Sequence, residues 1–80
     1  MKIQLLLFGI VTDLLQASSL EFEVSENSSV ANFKNEITLK FPQLENINSY
    51  AIAINETYAS DETILNQNDV VAIIPPVSGG

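Results

Sequence analysis

The residues best suited to chemistry stand at the end of the sequence, in the segment Pro75-Pro76-Val77-Ser78-Gly79-Gly80. Its reactive group would be a C-terminal carboxylate on Gly80. The two prolines cannot donate to a strand ladder and they stiffen the chain, and the residues after them can reach up to about 13 Å. The two glycines have no Cβ, so they can pass through a narrow channel. We therefore expect an addressable carboxylate on an arm, a poor electrophile until adenylation by ATP, the usual route, activates it.

A frayed terminus that ends in glycine by chance is the alternative interpretation of this segment. Two glycines alone would be weak evidence for a function. Their position directly after a predicted last strand and a Pro-Pro pair favours the functional interpretation. We therefore expect a folded domain over residues 1–76 and a flexible Gly-Gly tail over residues 77–80.

Side-chain catalysis has few candidates in this composition. The chain contains no His, no Cys and no Arg, which removes the commonest general base, the commonest metal ligand and all thiolate chemistry. Glu21 and Glu23 share one face of a predicted strand, and Asp61 precedes Glu62 in a polar stretch, but such carboxylates are usually solvated. We expect no metal site, no cofactor bound by this chain and no catalysis by the chain alone.

The charge balance restricts the possible partners. Ten acidic side chains against Lys2, Lys34 and Lys40 give a net charge of −7, so we expect neither nucleic acid nor an anionic membrane surface to bind. A protein partner with a basic groove would be attracted. Alternatively, the acidity only keeps an apolar domain soluble. The apolar run over residues 1–11 predicts a buried first strand in a cytoplasmic protein rather than a secretory signal, because its basic flank is weak.

Hydrophobic periodicity predicts the order strand, strand, helix in the first half of the chain. Residues 2–10 are rich in aliphatic side chains, and residues 20–25 alternate apolar and polar side chains. A loop over residues 13–19 would join the two strands as a hairpin. A helix follows, with N-cap candidates Ser28 and Ser29 and a stop at Pro42. Its apolar side chains recur at spacings of three, four and four, on one helix face, at Val30, Phe33, Ile37 and Phe41.

The residue pattern in the second half of the chain predicts strands and no helix. Residues 50–55 form the third strand, a turn at Asn55-Glu56 follows, and a short strand is expected around Tyr58. A polar turn over residues 66–69 should place Asn68 in a left-handed conformation, before a strongly apolar last strand over residues 70–74. This order predicts an α+β protein with the β-grasp (ubiquitin-like) fold, in which one main helix covers a mixed sheet of four to five strands. The first and last strands should be adjacent and parallel in its middle.

Strand alternation predicts which side chains face away from the helix. In the first strand Gln4 should point outward and place Leu6 and Phe8 on the same face. In the last strand we expect Asp69 outward, Ala72 and Ile74 on the outer face, and Val71 and Ile73 on the inner face. The outer face would then carry an apolar patch, which on a small soluble protein suggests an interface; a bulge that shifts the alternation by one residue would instead make these side chains core. The predicted patch comprises Leu6, Phe8, Tyr58 and Ile74.

The sequence resembles the MoaD-type sulfur carriers, the small subunits of molybdopterin synthase. The resemblance covers essentially the whole chain, and its sharpest element is the ending Pro75-Pro76-Val77-Ser78-Gly79-Gly80, close to the family's PPV[ST]GG. Further support comes from Leu7-Phe8-Gly9, from Ala53-Ile54-Asn55 and from Asn68-Asp69-Val70. Thr12-Asp13 departs from the family, which frequently has Arg-Glu at this place, and puts particular surface contacts in doubt.

The resemblance implies a role for each part of the chain. An E1-like adenylyltransferase (MoeB type) would use ATP to adenylate the Gly80 carboxylate, and a sulfur donor protein would convert it to a thiocarboxylate. The tail, including Pro76, Val77, Ser78 and Gly79, would thread into the large synthase subunit (MoaE type), which holds the cyclic pyranopterin precursor. Side chains matching Phe8, Tyr58 and Ile74 would contact the partners. A carrier for thiamine or tRNA thiolation, a ubiquitin-like protein modifier and a plain interaction module with an inert tail stay open as alternatives.

Overall fold

The computed structural model describes residues 1–47 and 49–76, so the predicted tail residues Val77, Ser78, Gly79 and Gly80 lie outside the described residues. The described chain forms five strands, two α-helices and one 3₁₀ helix. In chain order these are β1 (Lys2–Leu7), α1 (Ile10–Leu15), β2 (Ser19–Glu23), α2 (Val30–Lys40), the 3₁₀ helix (Pro42–Asn46), β3 (Ala51–Ile54), β4 (Thr57–Tyr58) and β5 (Val70–Ile74). No helix in the described ranges has the length and apolar character needed to cross a bilayer.

The strands form one mixed sheet in the order β2-β1-β5-β3-β4. The central pair, β1 and β5, is parallel, and every other neighbouring pair is antiparallel. The two most apolar segments occupy the middle of the sheet, where the inward side chains of β1 and β5 are buried and the outward ones are partly exposed. The predicted α+β, β-grasp architecture and the parallel central pair are confirmed.

Helix α2 begins and ends at the positions indicated by its N-cap serine and by the proline that follows it. The Ser29 hydroxyl accepts a hydrogen bond from the Asn32 backbone N–H at 3.2 Å, which satisfies one of the free donors of the first turn. Val30, Phe33 and Ile37 are each 0% exposed and pack against the sheet. The helix ends at Lys40, and Pro42 begins the 3₁₀ helix. The predicted helix, cap and stop are confirmed.

The Ser29 cap can be tested by removing its hydroxyl. Replacing Ser29 with Ala removes the acceptor for the Asn32 N–H, and we expect the free energy of unfolding to fall by about 1 kcal/mol. Urea denaturation followed by circular dichroism measures the change. Ser25→Ala is a suitable control because the Ser25 side chain, in contrast to that of Ser29, caps no helix; equal losses in both variants would contradict the cap assignment.

The segment between β1 and β2 differs from the prediction. β1 ends at Leu7, and residues predicted as strand end and loop form the short helix α1 instead. Six residues are too few to show a helical period or to be stable alone. Tertiary contacts hold the helix: Val11 is 0% exposed, and the Gln43 side-chain amide donates to the Leu14 carbonyl at 3.1 Å. Gln16 ends it in a left-handed conformation.

The two predicted turns have the expected backbone. Asn55 and Glu56 have φ values of 49° and 73°, the double left-handed geometry of the two-residue hairpin turn that suits the twist of β3 and β4. Asn68 has φ 69°, as predicted for the turn before β5. Asn tolerates this region because its short polar side chain bonds the nearby backbone, so both strand entries are fixed by local sequence.

The core lies between α2 and one face of the sheet. Ile3, Leu5 and Leu7 of β1 and Val71 and Ile73 of β5 are at most 3% exposed. The alternation therefore places Leu6, Ala72 and Ile74 on the opposite face, as predicted. The expectation that Asp69 faces outward is wrong: it is 8% exposed, because it shares the parity of the inward residues and its carboxylate holds neighbouring turns.

Candidate protein-docking site

The outer face of the sheet carries a row of paired residues across four strands. Leu6 of β1 lies opposite Ala72 of β5, Ala72 lies opposite Ala53 of β3, and Ala53 lies opposite Tyr58 of β4. The two central members have only a methyl side chain, while the outer members are large. Small side chains between large ones leave a depression, so the strand register itself creates a concave surface.

This depression, hereafter the open-face patch, has a volume of about 560 Å³. It brings together Phe8, Tyr58 and Ile74, the three side chains predicted to contact partners. Phe8 is 48% exposed and Tyr58 is 72% exposed, and large apolar surfaces of this kind on a small protein mark interaction sites. The open-face patch is lined by Leu6, Phe8, Ala53, Asn55, Glu56, Tyr58, Val70, Ala72 and Ile74.

A second, smaller groove of about 390 Å³ connects the open-face patch to the end of the described chain. Tyr58 and Ile74 line both surfaces, and the groove continues to Pro75 and Pro76. A partner that covers the open-face patch would therefore border the point at which the predicted tail begins. Of the predicted tail-threading residues, Pro76 is placed here, and the others lie outside the described residues.

Gly9 and Pro75 meet at the exit of β5. Gly9 follows β1 with φ 56° and ψ −134°, a region of backbone conformation that is essentially restricted to glycine. A Cβ on Gly9 would stand 2.9 Å from the Pro75 Cγ atom, closer than a carbon contact allows. Gly9 was expected only as part of a sequence motif, and its contact with Pro75 was not predicted. The pair fixes the direction in which the chain leaves the sheet.

Gly9→Ala tests this contact. The new methyl group would clash with the Pro75 ring and strain the backbone at residue 9, so we expect the free energy of unfolding to fall by about 1–3 kcal/mol. Chemical denaturation measures the loss. The double variant Gly9→Ala/Pro75→Ala removes the ring and should recover part of the stability. An unchanged loss in the double variant would show that backbone strain alone is responsible.

A hydrogen-bond network supports the lower edge of the open-face patch. The Asn55 side-chain amide donates to one Asp69 carboxylate oxygen at 3.0 Å, and the Asn66 N–H donates to the other at 2.8 Å. The Asn55 side-chain oxygen accepts from the Val70 N–H at 3.0 Å. Asp69 therefore ties two turns to β5, a role that was not predicted from the sequence. Asn55 and Asp69 lie 14 residues apart in the sequence, and no local pattern predicts that their side chains form a hydrogen bond.

The charges around the open-face patch are acidic. Among the described residues that line it, Glu56 is the charged one. Lys34 forms an ion pair with Asp61 at 2.9 Å, and Lys2 and Lys40 line a separate groove. The described residues include no group of three or more side chains placed to hold a metal ion. The arrangement suits contact with an apolar and basic protein surface.

Known proteins share both sequence and fold with this chain. A molybdopterin synthase sulfur carrier subunit from Arabidopsis thaliana is 38% identical over 80 residues, which cover 99% of this chain and 83% of that protein. SAMP1 from Haloferax volcanii superimposes with a TM-score of 0.86 at 19% identity, with 100% of both chains covered. A chain from the complex of subunits 1 and 2 of molybdopterin-converting factor from Helicobacter pylori gives a TM-score of 0.68 at 22% identity, with 100% of both chains covered.

The sequence profile of the ThiS family matches residues 5–80. This match includes β5, the second half of β1, the residues of the open-face patch and the Gly-Gly segment. Together with the 38% identity to a curated relative, it extends the likeness from the fold to the sequence. The chain therefore belongs to the ThiS family, alongside the molybdopterin synthase sulfur carrier subunits.

Proposed function

We propose that this chain is the sulfur carrier of molybdopterin synthesis and that its reactive group is the Gly80 carboxylate. The observation that carries the proposal is the surface that runs from the open-face patch through Tyr58 and Ile74 to Pro76, shortly before the Gly-Gly segment. A partner docked on this surface would receive the segment into its own active site. The 38% identity with a molybdopterin synthase sulfur carrier subunit supports this choice of pathway.

The chemistry proposed for Gly80 proceeds in two steps. An E1-like adenylyltransferase (MoeB type) joins the carboxylate to the α-phosphate of ATP, which releases pyrophosphate and gives an acyl-adenylate. A sulfur donor protein then supplies sulfur to the acyl carbon, AMP leaves, and a thiocarboxylate remains. This chain binds no cofactor in the scheme, because ATP is bound by the activating enzyme.

The large synthase subunit (MoaE type) is the proposed acceptor of the sulfur. It would hold the cyclic pyranopterin precursor and supply the catalytic side chains, while the thiocarboxylate of this chain acts as the nucleophile. The Helicobacter pylori protein of the same fold is found in a complex of subunits 1 and 2, which supports an assembly of this kind. In the proposal, residues 1–76 dock and residues 77–80, with Val77, Ser78 and Gly79 in the channel, deliver the sulfur.

Intact-mass spectrometry tests the proposal directly. The chain is incubated with the E1-like enzyme, ATP and a sulfur donor, and the expected product is heavier by one oxygen-to-sulfur exchange. Addition of the large subunit and the pyranopterin precursor should return the original mass as sulfur is transferred. Competent partners that leave the mass unchanged would contradict the proposal.

The same activated carboxylate could serve other acceptors. Thiamine synthesis, tRNA thiolation and attachment to lysines share the adenylation step and differ only in the later steps and the acceptor. The fold shared with SAMP1 at 19% identity does not distinguish among them. Isopeptide-linked conjugates of this chain in cells, or sulfur loading without transfer in the presence of the large subunit, would favour one of these acceptors.

A further inference from the structure

Strand β2 is an edge of the sheet, and its outward backbone groups are free. The hydrogen bonds Val24 N to Met1 O (2.9 Å) and Leu7 N to Ser18 O (2.9 Å) fix which β2 residues pair with β1. Because the pairing alternates along an antiparallel ladder, the residues between them turn their N–H and C=O groups away from β1. Within the described residues, no hydrogen bond occupies these outward groups of Ser19, Glu21 and Glu23.

A groove of about 710 Å³ runs beside this free edge, between β2 and α2. Its floor includes Phe22, and its helix side presents Glu36, Leu39 and Lys40, which lie on one face of α2 because of their spacing. Leu39 is 81% exposed, so this large apolar side chain, on the helix side of the groove, is mostly in contact with solvent. The groove is lined by Lys2, Glu21, Phe22, Glu23, Glu36, Leu39 and Lys40.

The Glu36 carboxylate contributes a buried hydrogen-bond acceptor to the groove. Among the described residues, the Glu36 Oε2 atom is a buried side-chain oxygen with no hydrogen-bond partner. A buried acceptor without a donor costs free energy that a ligand can recover. A lysine or arginine side chain that enters the groove would supply both a donor and the opposite charge.

The charges along the edge disfavour two antiparallel registers between β2 and a second copy of this chain. Antiparallel pairing of two β2 strands centred on Glu21 would place that carboxylate opposite its own copy. Pairing centred on Phe22 would place Glu21 opposite Glu23. Like charges directly opposite each other are destabilising, and both side chains are exposed on the edge, so an incoming strand must carry the opposite charge.

We propose that the groove between β2 and α2 binds an extended, basic peptide segment of a partner protein by strand addition. The backbone of the segment pairs with Ser19, Glu21 and Glu23, as in other cases in which a peptide extends a sheet. Its side chains alternate between the two faces of the sheet. Cationic side chains on the outer face lie beside Glu21 and Glu23, and side chains on the helix side lie beside Leu39 and Glu36. None of the described residues lines both this groove and the open-face patch, so the two surfaces are separate.

Nuclear magnetic resonance on the full-length chain tests the proposal. The probe is a capped heptapeptide of alternating lysine and valine, and its counterpart is a capped heptapeptide of alternating glutamate and valine. With the lysine peptide we expect amide hydrogen exchange at Ser19, Glu21 and Glu23 to slow by roughly tenfold. The glutamate peptide should leave these amides unchanged.

Charge variants locate the binding surface. Glu21→Lys/Glu23→Lys should weaken binding of the lysine peptide by at least roughly tenfold, because the lysines of the added strand lie on the same face as these two carboxylates. Glu26→Lys/Glu45→Lys is the matched control, since it makes the same change of charge at exposed positions outside the groove.

Three results would overturn the proposal. The first is unprotected Ser19, Glu21 and Glu23 amides in the presence of the bound lysine peptide, which would exclude strand addition. The second is an equal loss of binding in the matched control, which would show that net charge alone causes the weaker binding. The third is a concentration-dependent dimer joined through β2 in sedimentation, which would assign the edge to a second copy.

Discussion

A chain shortened by Gly79 and Gly80 is expected to take up no sulfur while it unfolds at the same urea concentration as the full-length chain. The shortened chain ends in Ser78, so the carboxylate moves closer to the domain by two residues, about 7 Å of extended chain. The adenylating site would then have to admit a Cβ and a hydroxyl where the proposal requires glycine. Within residues 1–47 and 49–76, none of the buried core side chains lies beyond Ile73, so we expect no change in stability.

Two further variants separate the possible causes of that loss. Gly80→Ala keeps the length and the carboxylate but adds a methyl group, and we expect slower loading than in the unaltered chain because the proposed channel would have to admit a Cβ. Glu45→Ala is the control at an exposed position remote from the tail, and it should load normally. Full loading of the shortened chain would show that the Gly80 carboxylate is not the group that takes up the sulfur.

The sequence predicts most of the fold because its strongest signals are local. The spacing of Val30, Phe33 and Ile37 shows the buried face of α2, and Ser29 and Pro42 show its ends. Alternation in β1 and β5 gives the two faces of the sheet without knowledge of the partner strands. Helix α1 could not be predicted because six residues are too few to show a helical period of apolar side chains. Its stability depends instead on tertiary contacts such as those of the buried Val11 side chain.

The candidate site depends on the register between neighbouring strands, which is difficult to predict from sequence alone. Phe8, Tyr58 and Ile74 could be predicted to share a face, but the depression between them exists because Ala53 and Ala72 meet as cross-strand neighbours. Their pairing is set by turns and packing along the whole β3–β5 connection. The contact between Gly9 and Pro75 joins residues at opposite ends of the chain, and the sequence carries no signal for it.

Phe8→Asp is expected to weaken docking of the large synthase subunit by more than an order of magnitude while it leaves the domain folded. Phe8 is 48% exposed in the free chain, so its replacement removes little core packing, and the stability should fall by at most about 1 kcal/mol. In the proposed complex the same ring would be buried. A carboxylate at that position would lose its hydration against an apolar partner surface, which opposes docking.

The size of the effect follows from the place of Phe8 in the open-face patch. Aromatic side chains at the centre of an interface commonly contribute about 2 kcal/mol or more, which corresponds to roughly a 30-fold weaker Kd. The unfavourable burial of a new carboxylate adds to this loss. Isothermal titration calorimetry with the large subunit measures the Kd of each variant.

Ile64→Asp is the matched control for Phe8→Asp. Ile64 is also 48% exposed, and the substitution introduces the same charge, but Ile64 does not line the open-face patch. We therefore expect its Kd for the large subunit to stay close to that of the unaltered chain. If both variants lost binding equally, added negative charge would be the cause. If both bound normally, docking would not use the open-face patch, and the groove between β2 and α2 would become the first surface to test.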